Sequence, residues 1–482
     1  MKFYLTAAIP YVNARPHLGH ALEFIQGDVI ARYHQLKGDE VLYITGADEN
    51  SLKIVQAAEK EGLTPIALAN KYAGLYPDFI QQLNVSISRF QRSSSPEHFA
   101  SAQELWRRCE AAGDIYKKKY KGLYCVGCEA FYTLDELSGK GECIEHPGKK
   151  LEEVEEENYF FKLSKYENDI KQLIETNQYK IVPETRKNEA LGLIKQGLQD
   201  FSISRSVARA HGWGVPVPGD NSQIMYVWFD ALNVYRSVAP DYWPADLHII
   251  GKGIFRFHAI YWPAILLSAK LPLPKELFVH GYITVNGQKM SKSVGNVIDP
   301  VELIKKYGTD PVRYYLLREI PSDEDGDFSE EKFKVRYNAD LANGIGNFAA
   351  RVLTLAEKFG KLSFDLETNI DSRIPVAISE AQKTVSESIE KKHFNEALAG
   401  IWKLISYGDG YVNTEKPWEK ETGSVEQGVV LAGLLYILHV SATLLRPFLP
   451  ETAKKILSAI TVDSNNRVYT VIKPAVLFPR LR

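Results

Sequence analysis

The sequence is short of the features that announce a secreted, membrane-bound or nucleic-acid-coating protein. Only four of its 482 residues are cysteine, Cys109, Cys125, Cys128 and Cys143. Cysteines so few and so clustered exclude a disulfide framework and make a metal the first expectation. Positive charge is not in excess: 58 Lys and Arg stand against 60 Asp and Glu, giving a net charge of −2 and a pI near 6.6. No global basic field exists, so any nucleic-acid site has to be a local patch. The opening stretch is too short and too lightly charged for a signal peptide, and no run of about 18 apolar residues follows it. The expectation is a soluble cytoplasmic protein with no membrane partner. Internal repeats and low-complexity linkers are lacking too. What is present is ordinary globular material, 45% hydrophobic and 24% charged, in a chain too long for one compact core. About three domains are expected.

The chain is organised around residues 6–20, T-A-A-I-P-Y-V-N-A-R-P-H-L-G-H. They begin as a strand, turn between Pro10 and Pro16, and run into a helix at Leu18. Apolar side chains at Leu22, Ile25, Val29, Tyr33 and Leu36 recur at helical spacing, and Gly38 is placed to stop the helix. His17 and His20 therefore sit at a helix N-terminus, where free N–H groups and the positive dipole end favour an anion such as a phosphate. Gly19 leaves room for a flat ring against the backbone. Histidines at a helix start also serve simply as caps, so this tetrapeptide needs support from elsewhere. Strand, loop and helix then alternate: a strand over 40–45, the loop G-A-D-E-N at 46–50, a helix over 51–61. Thr64-Pro65 and Ser95-Pro96 each read as an N-cap followed by proline at the first helical position, opening helices that run to about 83 and 112. Such alternation implies a parallel sheet covered on both faces, with ligands at the carboxyl ends of its strands, where His17 and Asp48 fall.

Residues 117–166 break the pattern with a lysine cluster, three cysteines, glycines and the acidic run 152–157, and read as an insertion. Cys125-Val-Gly-Cys128 and Cys143-Ile-Glu-His146 make a C-x2-C, 14 residues, C-x2-H arrangement. Soft thiolates and one imidazole in a compact loop suit tetrahedral zinc with no open position, so one structural Zn2+ per chain is expected. Cys109 falls in a helix and is expected to be structural. The α/β pattern resumes with apolar segments at 225–229 and 247–250 and a helix over 255–269. Beyond 301 helices dominate: 301–307, then 311–318 capped by Asp310, a turn at 322–327, and long helical patterns over 338–359, 374–391 and 425–445. That is an all-α bundle.

Far downstream, residues 289–293 read K-M-S-K-S, after the apolar stretch 277–285 and a turn at Asn286-Gly287. Two lysines on a small, serine-containing loop are suited to neutralising charge on a leaving pyrophosphate, although lysine-rich surface loops are common. H-L-G-H followed by K-M-S-K-S resembles the paired signatures of class I aminoacyl-tRNA synthetases. The stretches A-I-P-Y (8–11), Y-V-W-F-D-A-L-N-V-Y (226–235) and I-F-R-F-H (254–258) narrow the resemblance to the methionyl-tRNA synthetase family, over nearly the whole chain.

That resemblance implies an α/β, Rossmann-like parallel-sheet catalytic domain (1–116 and 167–275) with a zinc-binding insertion (117–166). A lysine-loop and stem-contact region (276–335) and an all-α anticodon-binding bundle (336–482) follow. It implies an ATP-dependent ligase that forms methionyl-adenylate and then charges tRNA(Met), initiator and elongator, with Mg2+ accompanying ATP. His17, His20, Lys289 and Lys292 would handle the phosphates, with Gly19 and Ser291 completing the ATP site. Ile9, Tyr11, Asp48, Trp228, Ala231, Leu232, Tyr235, Ile254 and His258 would line the methionine site. The chemistry is coherent: Trp228, Tyr11, Tyr235 and Ile254 make an apolar wall for a polarizable thioether, and the Tyr11 hydroxyl and His258 imidazole offer donors to its sulfur. By resemblance Asp48 takes the substrate ammonium and Arg205 aids the phosphate site. In the helical part, Asn347 and Arg351 are four apart and share a helix face. With Pro417 and Trp418 they are implied to read the CAU anticodon, the indole serving as a stacking platform. The family also agrees with zinc, though His146 stands where many relatives have a fourth cysteine.

Three departures from the family stand out. Asn50-Ser51 stand where His-Gly is usual, Gly253 replaces an aspartate, and Leu232 occupies a variable position. Two other readings compete. A class I synthetase for leucine, valine or isoleucine is opposed by the short insertion, and one for cysteine by the placing of the metal ligands outside the pocket. A non-catalytic RNA-binding paralogue would be expected to lose its lysine loop or pocket aromatics. With no evident appended module, a monomer is expected.

Overall fold

The computed structural model describes residues 1–127, 130–132, 137–144, 148, 151–290, 296–360, 362–363, 370–463, 468–472 and 475–481. The chain divides into two compact units: residues 1–16, 37–81 and 86–280 form one, and residues 17–36, 82–85 and 281–482 the other.

The first unit is built on a six-stranded parallel sheet in the order Arg89–Arg92, Glu40–Ala47, Lys2–Ala7, Leu247–Gly251, Glu276–His280, Lys180–Val182. Its strands read V-L-Y-I-T, L-H-I-I and L-F-V, near-continuous apolar runs of the kind a parallel sheet buried on both faces demands. From Lys2–Ala7 the chain winds outward to one edge, and from Leu247–Gly251 toward the other. The junction of these two central strands is therefore the point where strand order reverses, and in sheets of this kind ligands bind beyond the carboxyl ends of such strands. Residues 8–11 and 251–254 leave the sheet there.

Residues 117–166 lack helical periodicity, as expected, but they are far from irregular. Ile115–Cys125 pairs antiparallel with Glu152–Phe161, placing Lys119 opposite Glu157 and Lys121 opposite Glu155. The lysine cluster and the acidic run are two facing strands, complementary in register. The helix expected over 64–83 is two helices, Pro65–Ala73 and Leu75–Gln82. The helix expected over 255–269 is a π-helical turn, Phe257–Tyr261, running into Trp262–Ser268.

The second unit opens with the helix Leu18–Leu36, buried on all sides over residues 21–31. Its Asp28 carboxylate accepts from Arg313 Nη2 at 2.7 Å and from Arg32 Nε at 2.7 Å. Arg313 is wholly buried, and its remaining N–H groups donate to the carbonyls of Phe448, Leu83, Asn84 and Pro447. A buried guanidinium is tolerable only when so completely bonded. The helices Asn347–Phe359, Arg373–Glu390, Phe394–Glu415, Val425–Leu445 and Pro450–Ser458 make the bundle. Val425–Leu445 is apolar all round and passes the length and composition test for a membrane span, yet 72% of its apolar window is buried in the structure. Its neighbours in the bundle cover it, which is why no polar face is needed.

Two expectations for this half are corrected. Asp310 does not cap its own helix, which runs Thr309–Arg318. Its Oδ2 instead accepts from the Thr452 N–H at 2.6 Å and so caps the helix Pro450–Ser458. Nor is the bundle purely α: Leu362–Ser363, Val468–Val471 and Ile460–Asp463 form a small antiparallel sheet.

Candidate functional site

The residues singled out as a thioether pocket all fall in the first unit, in its main apolar core or packed against it. Ile9, Tyr11 and Ile254 are half-buried on the edge of the main apolar core, whereas Trp228, Ala231, Leu232, Tyr235 and His258 are buried within that unit. The Trp228 indole, 5% exposed, stacks on Phe257 with ring centroids 3.8 Å apart and planes 5° from parallel. It meets Tyr11 edge-on at 6.2 Å. Phe257 was not anticipated as the partner of this indole; its place next to His258 in a run of aromatics was the available signal.

Asp48 joins the same wall through the backbone. It bridges to Tyr11 in parallel register, and its N–H donates to the Pro10 carbonyl at 2.9 Å. The Asp48 backbone is thus held beside that of Tyr11 and the residue is buried, and Lys53 Nζ lies 3.7 Å from the Tyr11 ring centroid.

His258 behaves differently from expectation. Its Nδ1 is 3.0 Å from the Ile254 carbonyl oxygen, which can only accept, so Nδ1 carries the proton. Nε2 then accepts from the Tyr235 hydroxyl at 2.8 Å. Both ring nitrogens are engaged within the protein, so the donor assigned to the substrate sulfur is directed elsewhere. Burial pushes the His258 pKa down to about 4, opposed by the Ile254 carbonyl. The ring is a neutral brace for Tyr235, and the Tyr179 hydroxyl donates to the His258 carbonyl at 2.9 Å. The π-helical turn at Phe257–Tyr261 presents these residues.

His17 and His20 lie at the N-terminus of Leu18–Leu36, in the second unit. The Gly19 N–H donates to His17 Nδ1 at 3.1 Å, and the His17 N–H donates to His20 Nδ1 at 3.2 Å. This reciprocal pair is an imidazole version of a capping box. The rings stack with centroids 3.9 Å apart, and a Cβ on residue 19 would meet His17 Cε1 at 2.9 Å. The flat ring that Gly19 accommodates is that of His17. Because each Nδ1 accepts, each Nε2 carries the ring hydrogen. Capping through Nδ1 is therefore compatible with donation through Nε2.

Lys289 ends a short hairpin, Ile283–Val285 against Gln288–Lys289, turned by Asn286 and Gly287 at positive φ as expected. Ser291 and Lys292 lie outside the described residues. Arg205 is buried with its guanidinium 5.4 Å from the Tyr226 ring centroid.

In the helical bundle Asn347 and Arg351 occupy one face of Asn347–Phe359, with Asn347 exposed. The Arg351 guanidinium lies 5.9 Å from the Trp418 ring centroid and is held by Asp409 and Asn413 at 2.6 Å each. Those two were missed, although their spacing of four on a helix marks a shared face. Trp418 is 49% exposed while Pro417 is buried, its carbonyl accepting from Gln427.

Of the four proposed metal ligands, Cys125 and Cys143 are buried, at 2% and 1% exposure, while Cys128 and His146 lie outside the described residues. Cys109 is in the main apolar core, its thiol pushed up to about 12 by burial.

Residues 3–353 match the family described as tRNA synthetases class I (M), and residues 358–476 match the anticodon binding domain of methionyl tRNA ligase. The methionine–tRNA ligase of Brucella suis is 40% identical, covering 97% of this chain and 93% of its own. That of Clostridium acetobutylicum is also 40% identical, covering 100% and 78%. Among solved structures, Mycobacterium tuberculosis methionyl-tRNA synthetase bound by methionyl-adenylate superposes with a TM-score of 0.93 at 37% identity, covering 99% of this chain and 100% of the other. A match to the family over most of the length, with relatives at this identity, leaves one conclusion: the chain belongs to the methionyl-tRNA synthetases of class I.

Proposed function

We propose a residue-level division of labour for the reaction of this methionine–tRNA ligase. In the first step methionine carboxylate attacks the α-phosphate of ATP, supplied as its Mg2+ complex, giving methionyl-adenylate and pyrophosphate. In the second, a ribose hydroxyl at the 3′ end of tRNA(Met), initiator or elongator, attacks the mixed anhydride and displaces AMP. Asp48 holds the substrate ammonium. Ile9, Tyr11, Trp228, Ala231, Leu232, Tyr235 and Ile254 enclose the thioether, with His258 holding Tyr235 in place. The Nε2–H groups of His17 and His20 take the phosphates at the helix N-terminus, close to Gly19, and Lys289, Ser291 and Lys292 neutralise the leaving pyrophosphate. Side chains need not move protons, because positioning and charge stabilisation carry the rate.

The observation that supports the amino-acid reading is the stacked Trp228–Phe257 pair with Tyr11 edge-on and Asp48 bridged through the backbone to Tyr11, which we read as an aromatic slot with a carboxylate at one end. An unbranched, polarizable side chain with an ammonium at one end is what such a slot accepts. Exchange of labelled pyrophosphate into ATP, run without tRNA against a panel of amino acids, tests it. Methionine is expected to support exchange strongly, and leucine, valine and cysteine feebly; preference for a branched side chain overturns the reading.

Asn347, Arg351, Pro417 and Trp418 read the anticodon from the bundle, residues 336–482. Cys125, Cys128, Cys143 and His146 hold a structural zinc ion in the insertion, 117–166. Fit to the group rests on donor chemistry: two thiols are buried, and neither belongs to the apolar clusters that claim Cys109 and Tyr124. Zinc there supplies a cross-link between chain segments and takes no part in the reaction. The enzyme works as a cytoplasmic monomer.

A further inference from the structure

Three buried polar side chains meet behind the aromatic slot, all within the first unit: Asn50, Asp230 and His98. Asn50 Nδ2 donates to Asp230 Oδ2 at 2.7 Å and to the Ser93 carbonyl at 2.8 Å. His98 Nε2 stands 3.6 Å from the same Oδ2, and its Nδ1 is 3.0 Å from Ser237 Oγ. Asn50 Oδ1 and Asp230 Oδ1 find no partner among the described residues, so the link between these two side chains runs through Nδ2.

Their places in the chain give this contact its meaning. Asn50 is two residues past Asp48, on the loop that presents the ammonium-holding carboxylate. Asp230 stands between Trp228 and the Ala231-Leu232 pair, on the turn that forms the thioether wall. Beyond that turn, Asn233 and Arg236 bond to Ser101 at 3.0 and 3.1 Å, anchoring it to the helix Pro96–Ala111 that also carries His98. The Ser93 carbonyl leads into the same helix. We propose that the Asn50–Asp230 bond, backed by His98, is a strut that sets the distance between the ammonium end and the thioether end of the slot, and so selects amino acids by length. The inference rests on the methionine reading of that slot.

The strut also accounts for a departure from the family. A carboxamide nitrogen carries two N–H groups, enough to serve a carboxylate and a carbonyl at once; the reversed amide would set its oxygen against both acceptors. A neutral imidazole, the usual family residue here, offers one N–H. Asn50 thus makes both bonds without charge beside a carboxyl group whose pKa is already raised by burial.

Pyrophosphate exchange with methionine, with ethionine (one carbon longer) and with S-methylcysteine (one carbon shorter) tests the proposal in wild type, Asn50→Ala and Asn50→His, alongside melting curves. In Asn50→Ala the KM for methionine is expected to rise by about tenfold or more, while kcat and the KM for ATP hold within about twofold, because a remote misplacement of the slot weakens positioning of one substrate alone. Discrimination by one methylene, worth roughly 10–200-fold in a well-fitted pocket, should shrink severalfold. Asn50→His, which keeps one N–H, should fall between and serves as the test should Asn50→Ala fail to fold. A lower melting temperature with unchanged KM and unchanged length discrimination assigns the cluster to packing and overturns the strut. A fall in kcat at constant KM overturns it as well. If wild type itself does not activate methionine, the slot reading fails first, and that result is distinguishable from either.

Discussion

The molecule holds two pairs of histidines that do opposite work. His17 and His20 are half-buried at a helix start, and both Nδ1 atoms accept backbone N–H groups. His258 and His248 are buried completely behind the aromatic slot. There His258 donates through Nδ1 to a carbonyl and accepts through Nε2, and His248 Nδ1 pairs with Thr6 Oγ1 at 2.7 Å. One pair spends its Nδ1 lone pairs on backbone N–H groups and keeps the ring hydrogen on Nε2; His258 donates through Nδ1 and accepts through Nε2. The identity of the residue says nothing about this division. What decides it is whether the nearest backbone group at Nδ1 is an N–H or a C=O, and that is set by the position of the ring on its helix.

The contrast breaks most visibly at His17. In His17→Asn the side chain still caps the helix, since asparagine is among the best N-cap residues, but the Nε2–H donor is gone. If the first pair acts on phosphates, pyrophosphate exchange should fall by roughly 10²–10³, the usual cost of one donor acting on developing charge, with the melting temperature nearly unmoved. Unchanged exchange would mean that the pair is a cap and nothing more, and the distinction between the two pairs would collapse into one of burial.

For the buried pair the measurement is stability against pH. The unfolded chain protonates His258 near pH 6.5 and the folded chain only near 4, because burial depresses the folded pKa. Between those values the unfolded state binds more protons, so stability is fully present above about pH 6.5 and is lost as pH falls toward 4, by about 3 kcal/mol over the whole window. Burial also depresses His248 and His439, adding in the same direction. It raises Asp230, Asp310 and Glu451, which act in the opposite direction. The comparison with His258→Gln isolates one ring, because glutamine offers one donor and one acceptor and does not titrate. Denaturant unfolding at pH 7 and pH 5 should show wild type losing about 2 kcal/mol more than the variant. Equal losses would place a proton on His258 in the folded state and return it to the role of a sulfur donor.

Local chemistry was legible in the sequence wherever the partner is local. Thr64 and Ser95 cap the helices they precede, accepting from Ala67 and His98; the apolar spacing over 18–36 and the long apolar stretch over 425–445 mark helices with those bounds. Asp310 was misread because its partner, Thr452, is 142 residues away. The Lys-rich and Glu-rich runs were seen separately, and only the register of two strands makes them a pair. The helix expected over 338–359 begins as a π-helical stretch, Tyr337–Gly346, broken at Gly344 with ψ −106°, which no apolar period signals. In the slot the residue types were readable through resemblance, but the stack on Phe257 and the direction of each imidazole hydrogen bond depend on contacts that only folding creates.

Tryptophan sharpens the same contrast with a smaller effect. Trp228 is 5% exposed and stacked on Phe257, whereas Trp418 is 49% exposed, with the Arg351 guanidinium 5.9 Å from its ring centroid. Removing a packed indole costs about 3–5 kcal/mol of stability. Trp418 is too open for that, so Trp418→Ala should leave the melting temperature close to that of the parent. If its exposed face stacks on an anticodon base, the loss appears only in the step that uses RNA. Amino-acid activation should be intact, and charging of tRNA(Met) should weaken by roughly 1–3 kcal/mol, the worth of one base–aromatic stack. Arg351 is fixed by Asp409 and Asn413 independently of the indole, so the variant does not also release the guanidinium. Both reactions and the melting curve, measured on the same preparation, separate the outcomes. A fall in melting temperature makes Trp418 a packing residue like Trp228. Normal charging by a stable variant leaves it neither reader nor core, and the anticodon assignment of Asn347, Arg351, Pro417 and Trp418 then has to be abandoned.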